Sequence, residues 1–318
     1  MLSSTSLMRA ATATACLTLA ACGSQGGGGG SGGGGQGGGG GLSGQIAIDG
    51  SSTVYPFAQA AAEQFQGQNP NVQITVGQSG TGGGFEKFCA GETQISDASR
   101  PIKDDEEVPI CEKNDVKYKE VQVANDGIAV ATNKALTIDC MTTDQLKELW
   151  DKGSDAKSYS DIDPKFPDAE AKLFGPGTDS GTFDYFTDEI NGEEGQSRTD
   201  YQPSEDDNVL VQGVSGDEGG LGYFGFSYFE QNQDKLNLVG VDGGDGCVKP
   251  STQTIQSGDY KPLSRPIFMY PSEDALKKPE VKAFMDFLIA NQQKIAEAAK
   301  IVPMSPEQAE AAKKDLGS

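Results

Sequence analysis

Gln45-Ile46-Ala47-Ile48-Asp49-Gly50-Ser51-Ser52-Thr53-Val54-Tyr55-Pro56 sets out a strand, a tight loop and the start of a helix in one short stretch. Ile46 and Ile48 alternate with small or polar neighbours, the pattern of a strand. After the loop the apolar positions move to helical spacing at Phe57, Ala61 and Phe65, which predicts a helix from about Val54 to Gln66. Pro70 closes that unit. Val72-Gln73-Ile74-Thr75-Val76 reads as a second strand by β-branching and alternation. Phe85 and Phe88 belong to a second helix, and Gln94-Ile95-Ser96-Asp97 is a third strand. A βαβαβ opening predicts an α/β fold with a mostly parallel sheet, whose ligands sit at the carboxyl ends of the strands.

Those ends carry polar loops. Gly50-Ser51-Ser52-Thr53, Ser79-Gly80-Thr81-Gly82-Gly83-Gly84 and Gly177-Thr178-Asp179-Ser180-Gly181-Thr182 each precede an expected helix. Each offers hydroxyls and closely spaced backbone N–H groups. A helix N-terminus adds unpaired N–H groups and a partial positive charge. One such loop is a helix cap, whereas three that converge make a cage for a small tetrahedral oxyanion.

Further along, Val121 to Thr132 is a near-continuous apolar run around Asp126-Gly127. It reads as a strand leaving a first lobe and entering a second, with Asp126 near the hinge in a strand-end turn. A helix follows near Thr142–Trp150, and Lys172-Leu173-Phe174 leads into the third loop. Gly222-Tyr223-Phe224 and Leu236 to Val239 supply strands, and Leu263 to Met269 reads as a return strand. Val281, Phe284, Met285, Phe287, Leu288 and Ala290 have helical spacing, and a short last helix follows Pro303. A chain that goes out and comes back predicts two lobes: residues 45–123 with 266–318, and residues 124–265.

At the other end, Arg9 precedes an apolar run from Ala10 to Ala21, which closes in Leu19-Ala20-Ala21-Cys22-Gly23. The run is too short for a membrane span, which needs about 20 residues. It resembles a bacterial lipoprotein signal. The resemblance implies removal of residues 1–21, acylation of Cys22 and an extracytoplasmic protein held to the membrane by lipid alone. Residues 22–44 are mostly glycine, with Ser, Gln and Leu, and read as a tether, with a reach on the order of 25 Å.

Of six cysteines, Cys89, Cys111, Cys140 and Cys247 remain once Cys16 and Cys22 are set aside. Two disulfides are expected in an exported protein. We favour Cys89–Cys111 with Cys140–Cys247, although sequence does not choose among the three pairings. With no histidine and no C-x-x-C spacing, neither a zinc site nor a histidine-based catalytic triad is expected. Lys87 is followed by Phe88, so the second loop is not a P-loop. No cofactor is implied. A net charge of −22 excludes a nucleic-acid partner and reads as solubility; a closed cleft answers to charges and dipoles a few ångströms away.

Asp49-Gly50-Ser51-Ser52-Thr53-Val54-Tyr55-Pro56, Ser79-Gly80-Thr81-Gly82-Gly83, Ser96-Asp97-Ala98-Ser99-Arg100 and Gly177-Thr178-Asp179-Ser180-Gly181-Thr182, in this order behind a lipoprotein signal, resemble the PstS-type periplasmic phosphate-binding proteins. The resemblance implies a two-lobe, type II periplasmic-binding-protein-like fold with the ligand cleft between lobes. It also implies a monomer that closes on inorganic phosphate and delivers it to the permease of an ABC transporter. Carried over, Ser52, Thr53 and Val54, Ser79 and Gly80, and Ser180, Gly181 and Thr182 are the donors. Asp97 accepts a hydrogen bond from the proton on phosphate and rejects sulfate, which has none. The chain departs from the family where Gly175-Pro176-Gly177 stands in place of an arginine before the last loop. Arg100 is the expected substitute, binding two phosphate oxygens and pairing with Asp97; Arg198, beside Asp200, is a poorer one. Rival readings are a binder of sulfate or molybdate, a phosphate sensor and, less well supported, a secreted phosphatase.

Overall fold

The structure, a computed structural model, describes residues 41–317 apart from Asp179. The expected signal, the acylation site Cys22 and all but the last residues of the tether lie outside the described residues.

The opening is the predicted βαβαβ unit: β1 (Gly44–Gly50), α1 (Tyr55–Gln68), β2 (Val72–Gln78), α2 (Gly80–Cys89) and β3 (Ile95–Ala98). β1 pairs in parallel with both β2 and β3, so the first two loops leave the same sheet edge. The chain continues through α3 (Val108–Lys113), β4 (Val121–Asn133), β5 (Cys140–Thr142), α4 (Thr143–Trp150) and α5 (Tyr159–Ile162). β6 (Lys172–Pro176) delivers the third loop to α6 (Gly181–Phe186), which runs into a π-helical turn over Thr187–Asn191. Then come β7 (Gln202–Ser204), α7 (Asp207–Gly216), β8 (Gly220–Gly225), α8 (Phe226–Glu230), β9 (Leu236–Asp242), β10 (Cys247–Val248) and α9 (Thr252–Ser257). β11 (Ser264–Pro271), α10 (Pro279–Ala299) and α11 (Pro306–Leu316) complete the chain.

The strands run in the order β2-β1-β3-β11-β4-β8-β6-β7, with β9 also on β4. The long strand β4 passes through two cores. Val121, Val123 and Ala124 pack with Ile46, Phe57, Phe65, Phe284 and Leu288. Ile128 to Ala131 pack with Trp150, Phe186, Tyr223 and Val239. β11 crosses back beside it, antiparallel, with Ser264 opposite Gly127 and Arg265 opposite Asp126. The fold is the expected two-lobe α/β architecture, but the sheet is mixed rather than mostly parallel, because β11 runs antiparallel to β3 and β4, and β4 antiparallel to β8 and β9.

Asp126 corrects the sequence reading. It is not in a turn but mid-strand and buried, because Arg265 on the neighbouring strand offsets its charge. Both favoured disulfides are present: Cys89–Cys111 ties α2 to α3, and Cys140–Cys247 ties β5 to β10. α4 starts on a capping box, in which the Thr142 hydroxyl accepts from the Gln145 amide and the Gln145 side chain accepts from the Thr142 amide. Among the described residues no helix is long and apolar enough to cross a membrane.

Candidate functional site

The three loops meet at a cleft of about 830 Å³, lined by Ser51 to Thr53, Ser79 to Gly83, Ser99 and Arg100, Gly181, Tyr185 and Arg265 among others. Close approach depends on glycine. A Cβ on Gly181 would lie 2.6 Å from the Thr53 amide nitrogen, so α6 begins in contact with the first loop. A Cβ on Gly84 would lie 2.9 Å from the Asp49 carbonyl oxygen, which seats α2 against the end of β1.

Many of the donors promised by the sequence are already engaged. Ser51 organises the first loop: its carbonyl accepts from the amides of Val54 (3.2 Å) and Tyr55 (2.9 Å), and its hydroxyl accepts from the Thr53 amide (3.2 Å). Pro56, in the first turn of α1, has no N–H to offer. The Ser52 amide and the side chains of Ser52 and Thr53 therefore remain as the loop's donors on the cleft. In the second loop the Ser79 hydroxyl donates to Asp49, whose other oxygen binds Lys87 at 2.7 Å. The first amides of α2 belong to Gly80, Thr81 and Gly82; they have no helical acceptor, and two of the three residues lack side chains to cover them. In the third loop the Ser180 hydroxyl accepts from the Thr182 amide at 3.2 Å, capping α6. Val54, Ser180 and Thr182 thus shape the loops and lie off the cleft wall, whereas Ser52, Thr53, Ser79, Gly80 and Gly181 line it.

Asp97 departs from expectation. Its side chain is fully buried under the first loop, its main-chain carbonyl accepts from the Ser51 amide at 3.1 Å, and it is not among the residues lining the cleft. Neither carboxylate oxygen has a hydrogen-bond partner among the described residues. Burial raises its pKa well above the ordinary range; the Ser51 amide opposes this and Asp49 adds to it. Arg100 lines the cleft but does not pair with Asp97. Its guanidinium is forked onto Glu107 at 2.6 and 3.0 Å and also donates to the Pro101 carbonyl. Burial of Glu107 acts against its charge, but the Arg100 fork and the Lys103 amide together hold its pKa below the usual value. Arg198 is remote, buried behind Trp150 and bonded to the Leu149 and Ala156 carbonyls and to Asp200.

The residue that sequence reasoning passed over is Arg265. From β11 its Nη2 donates to the Thr53 hydroxyl at 2.9 Å, and its guanidinium carbon stands 3.5 Å from the centre of the Tyr185 ring. Its Nε faces Asp126 at 3.5 Å. Burial raises the Asp126 pKa more than Arg265 lowers it, so the pair is incompletely compensated.

A family model described as a PBP superfamily domain matches residues 35–292. Protein SphX of Synechococcus elongatus is 45% identical over 81% of this chain and 77% of its own. The phosphate-binding protein PstS of Staphylococcus saprophyticus is 41% identical over 82% of this chain and 81% of its own. The chain belongs to the PstS-type phosphate-binding proteins. Solved structures agree with this PstS-type assignment. A possible phosphate-binding protein from Planctomyces limnophilus is 43% identical with a TM-score of 0.81, covering 87% of this chain and 98% of that one. A protein from Clostridium perfringens solved with bound phosphate is 27% identical with a TM-score of 0.58, covering 82% of this chain and 100% of that one. In this PstS-type chain Gly177 stands where the resemblance calls for an arginine nearby, and Glu205 packs against it so closely that a Cβ would overlap the carboxylate.

Proposed function

We propose that this chain binds inorganic phosphate in the cleft, outside the cytoplasmic membrane, and delivers it to an ABC permease. The observation that carries the reading is the junction of Gly181 with the Ser52–Thr53 loop beside the glycine-built N-terminus of α2. Two helix-starting loops from opposite lobes abut there, and both offer donors to one small volume. A tetrahedral anion suits that volume because hydroxyls and amides can approach it from several directions. The Staphylococcus PstS and the phosphate-bound Clostridium structure support phosphate as the anion.

In this reading Ser52, Thr53, Gly80 and Gly181 touch the ligand, and Val54, Ser79, Ser180 and Thr182 hold the loops in shape. The lobes meet along the crossing of β4 and β11 and close about it. Binding proceeds without turnover, and the protein acts as a monomer tethered through an acylated Cys22. Isothermal titration of the chain with phosphate, arsenate and sulfate tests the reading. Phosphate and arsenate are expected to bind, and sulfate far more weakly. Equal binding of sulfate would make the cleft a general oxyanion site, and no binding of phosphate would end the reading. Loss of phosphate uptake on deletion of the protein tests delivery, and loss of radiolabelled palmitate from Cys22→Ala tests the anchor.

A further inference from the structure

The tetrapeptide Ser-Arg-Pro-Ile occurs twice, at Ser99–Ile102 and at Ser264–Ile267, and both of its arginines line the cleft. The two guanidiniums are differently engaged. Both terminal nitrogens of Arg100 donate to Glu107. Arg265 gives one hydrogen bond among the described residues, to Thr53, and its buried Nε faces Asp126 at 3.5 Å without a hydrogen bond. Tyr185 covers the face of the Arg265 guanidinium, so its edge is what remains for an acceptor. That edge carries two parallel N–H groups, which match two oxygens of a tetrahedral anion.

The surroundings span the molecule. Thr53 belongs to the loop before α1, Tyr185 to α6 in the other lobe, and Asp126 to the second crossing strand. We propose that Arg265 is the cation that receives the anion, presented from the crossing strand rather than from any loop, and that Asp126 is the positioning residue that aims it. This inference rests on the phosphate reading above. By accepting from Nη2, Thr53 keeps its own O–H free to donate, so one anion can be held by Arg265 and Thr53 together. The ligand's charge is then read where the two lobes join, and each lobe closes against a ligand already fixed at the crossing.

Titration calorimetry with inorganic phosphate on the full chain tests this, with thermal melts as the folding control. Arg265→Gln is expected to weaken phosphate binding by roughly 10- to 100-fold, the range for a hydrogen bond to a charged group. Arg265→Lys keeps the charge without the fork, and its affinity is expected to fall between that of Arg265→Gln and that of wild type. Asp126→Asn keeps an oxygen for Nε–H and removes the counter-charge, so it is expected to tighten phosphate binding by about threefold or more. A purely structural role for Asp126 would weaken it instead. If wild type binds no phosphate, the underlying reading falls. If wild type binds and Arg265→Gln binds within about threefold of it, this proposal falls. Should Arg265→Gln fail to fold, Arg265→Lys decides, and wild-type affinity in that variant overturns the proposal.

Discussion

Gly181 begins α6 in contact with Thr53, and no side chain larger than a hydrogen fits between them. Gly181→Ala would place a methyl group 2.6 Å from the Thr53 amide nitrogen. Overpacking of this kind costs about 1–3 kcal/mol. Because the strain falls on the closed arrangement, phosphate affinity should drop about 5- to 150-fold while the melting temperature moves little. Calorimetry and thermal melts on the same samples check both, and an unchanged dissociation constant would mean that the loops do not meet in the bound protein.

Asp97 should limit stability at neutral pH. Its pKa is raised in the folded chain, mainly by burial, so the native state holds the proton more tightly than the unfolded one. Stability is then greatest below the ordinary aspartate value near pH 3.9 and declines as pH rises toward the raised value. Asp97→Asn removes that decline. Its gain in melting temperature over wild type should be smallest near pH 4 and grow toward pH 8. Since Asp97 does not line the cleft, the ratio of phosphate to sulfate affinity should stay the same. A collapse of that ratio would return Asp97 to the site.

The two disulfides should open in order. Cys89 and Cys111 are buried, whereas Cys247 is exposed, and exchange requires access for the attacking thiolate. Graded reductant followed by alkylation and mass analysis should label Cys140 and Cys247 first. Labelling of Cys89 and Cys111 ahead of them would contradict the burial of α2 against α3.

Arg198 should matter for stability alone. Its guanidinium satisfies the buried Leu149 and Ala156 carbonyls. Arg198→Met leaves them without that donor, at a cost of about 2 kcal/mol or more. Denaturant unfolding should register the loss, and phosphate affinity of the folded fraction should match wild type.

Much of the fold was legible because local signals agreed. The alternation at Ile46 and Ile48, the β-branched run Val72 to Val76 and the helical spacing of Phe57, Ala61 and Phe65 all specify elements that form where they were expected. Asp126 misled because Asp-Gly commonly marks a turn, and its partner Arg265 comes from a distant part of the chain. The site was legible as donor types and illegible as donor occupancy. Val54 and Thr182 have N–H groups, but only the fold reveals that Ser51 and Ser180 already accept from them. Arg265 did leave a trace, since the Ser-Arg-Pro-Ile around Arg100 recurs around it.

β11 is among the last elements of the chain, yet it lies in the sheet between β3 and β4. During synthesis those two strands have no neighbour on their facing edges until Pro271 has been made. The first lobe therefore cannot complete its sheet on a partly made chain, and its core stays open until α10 arrives to cover it. The strand that bears Arg265 is thus also the one whose arrival joins the two halves of the sheet, so the site and the finished fold appear together.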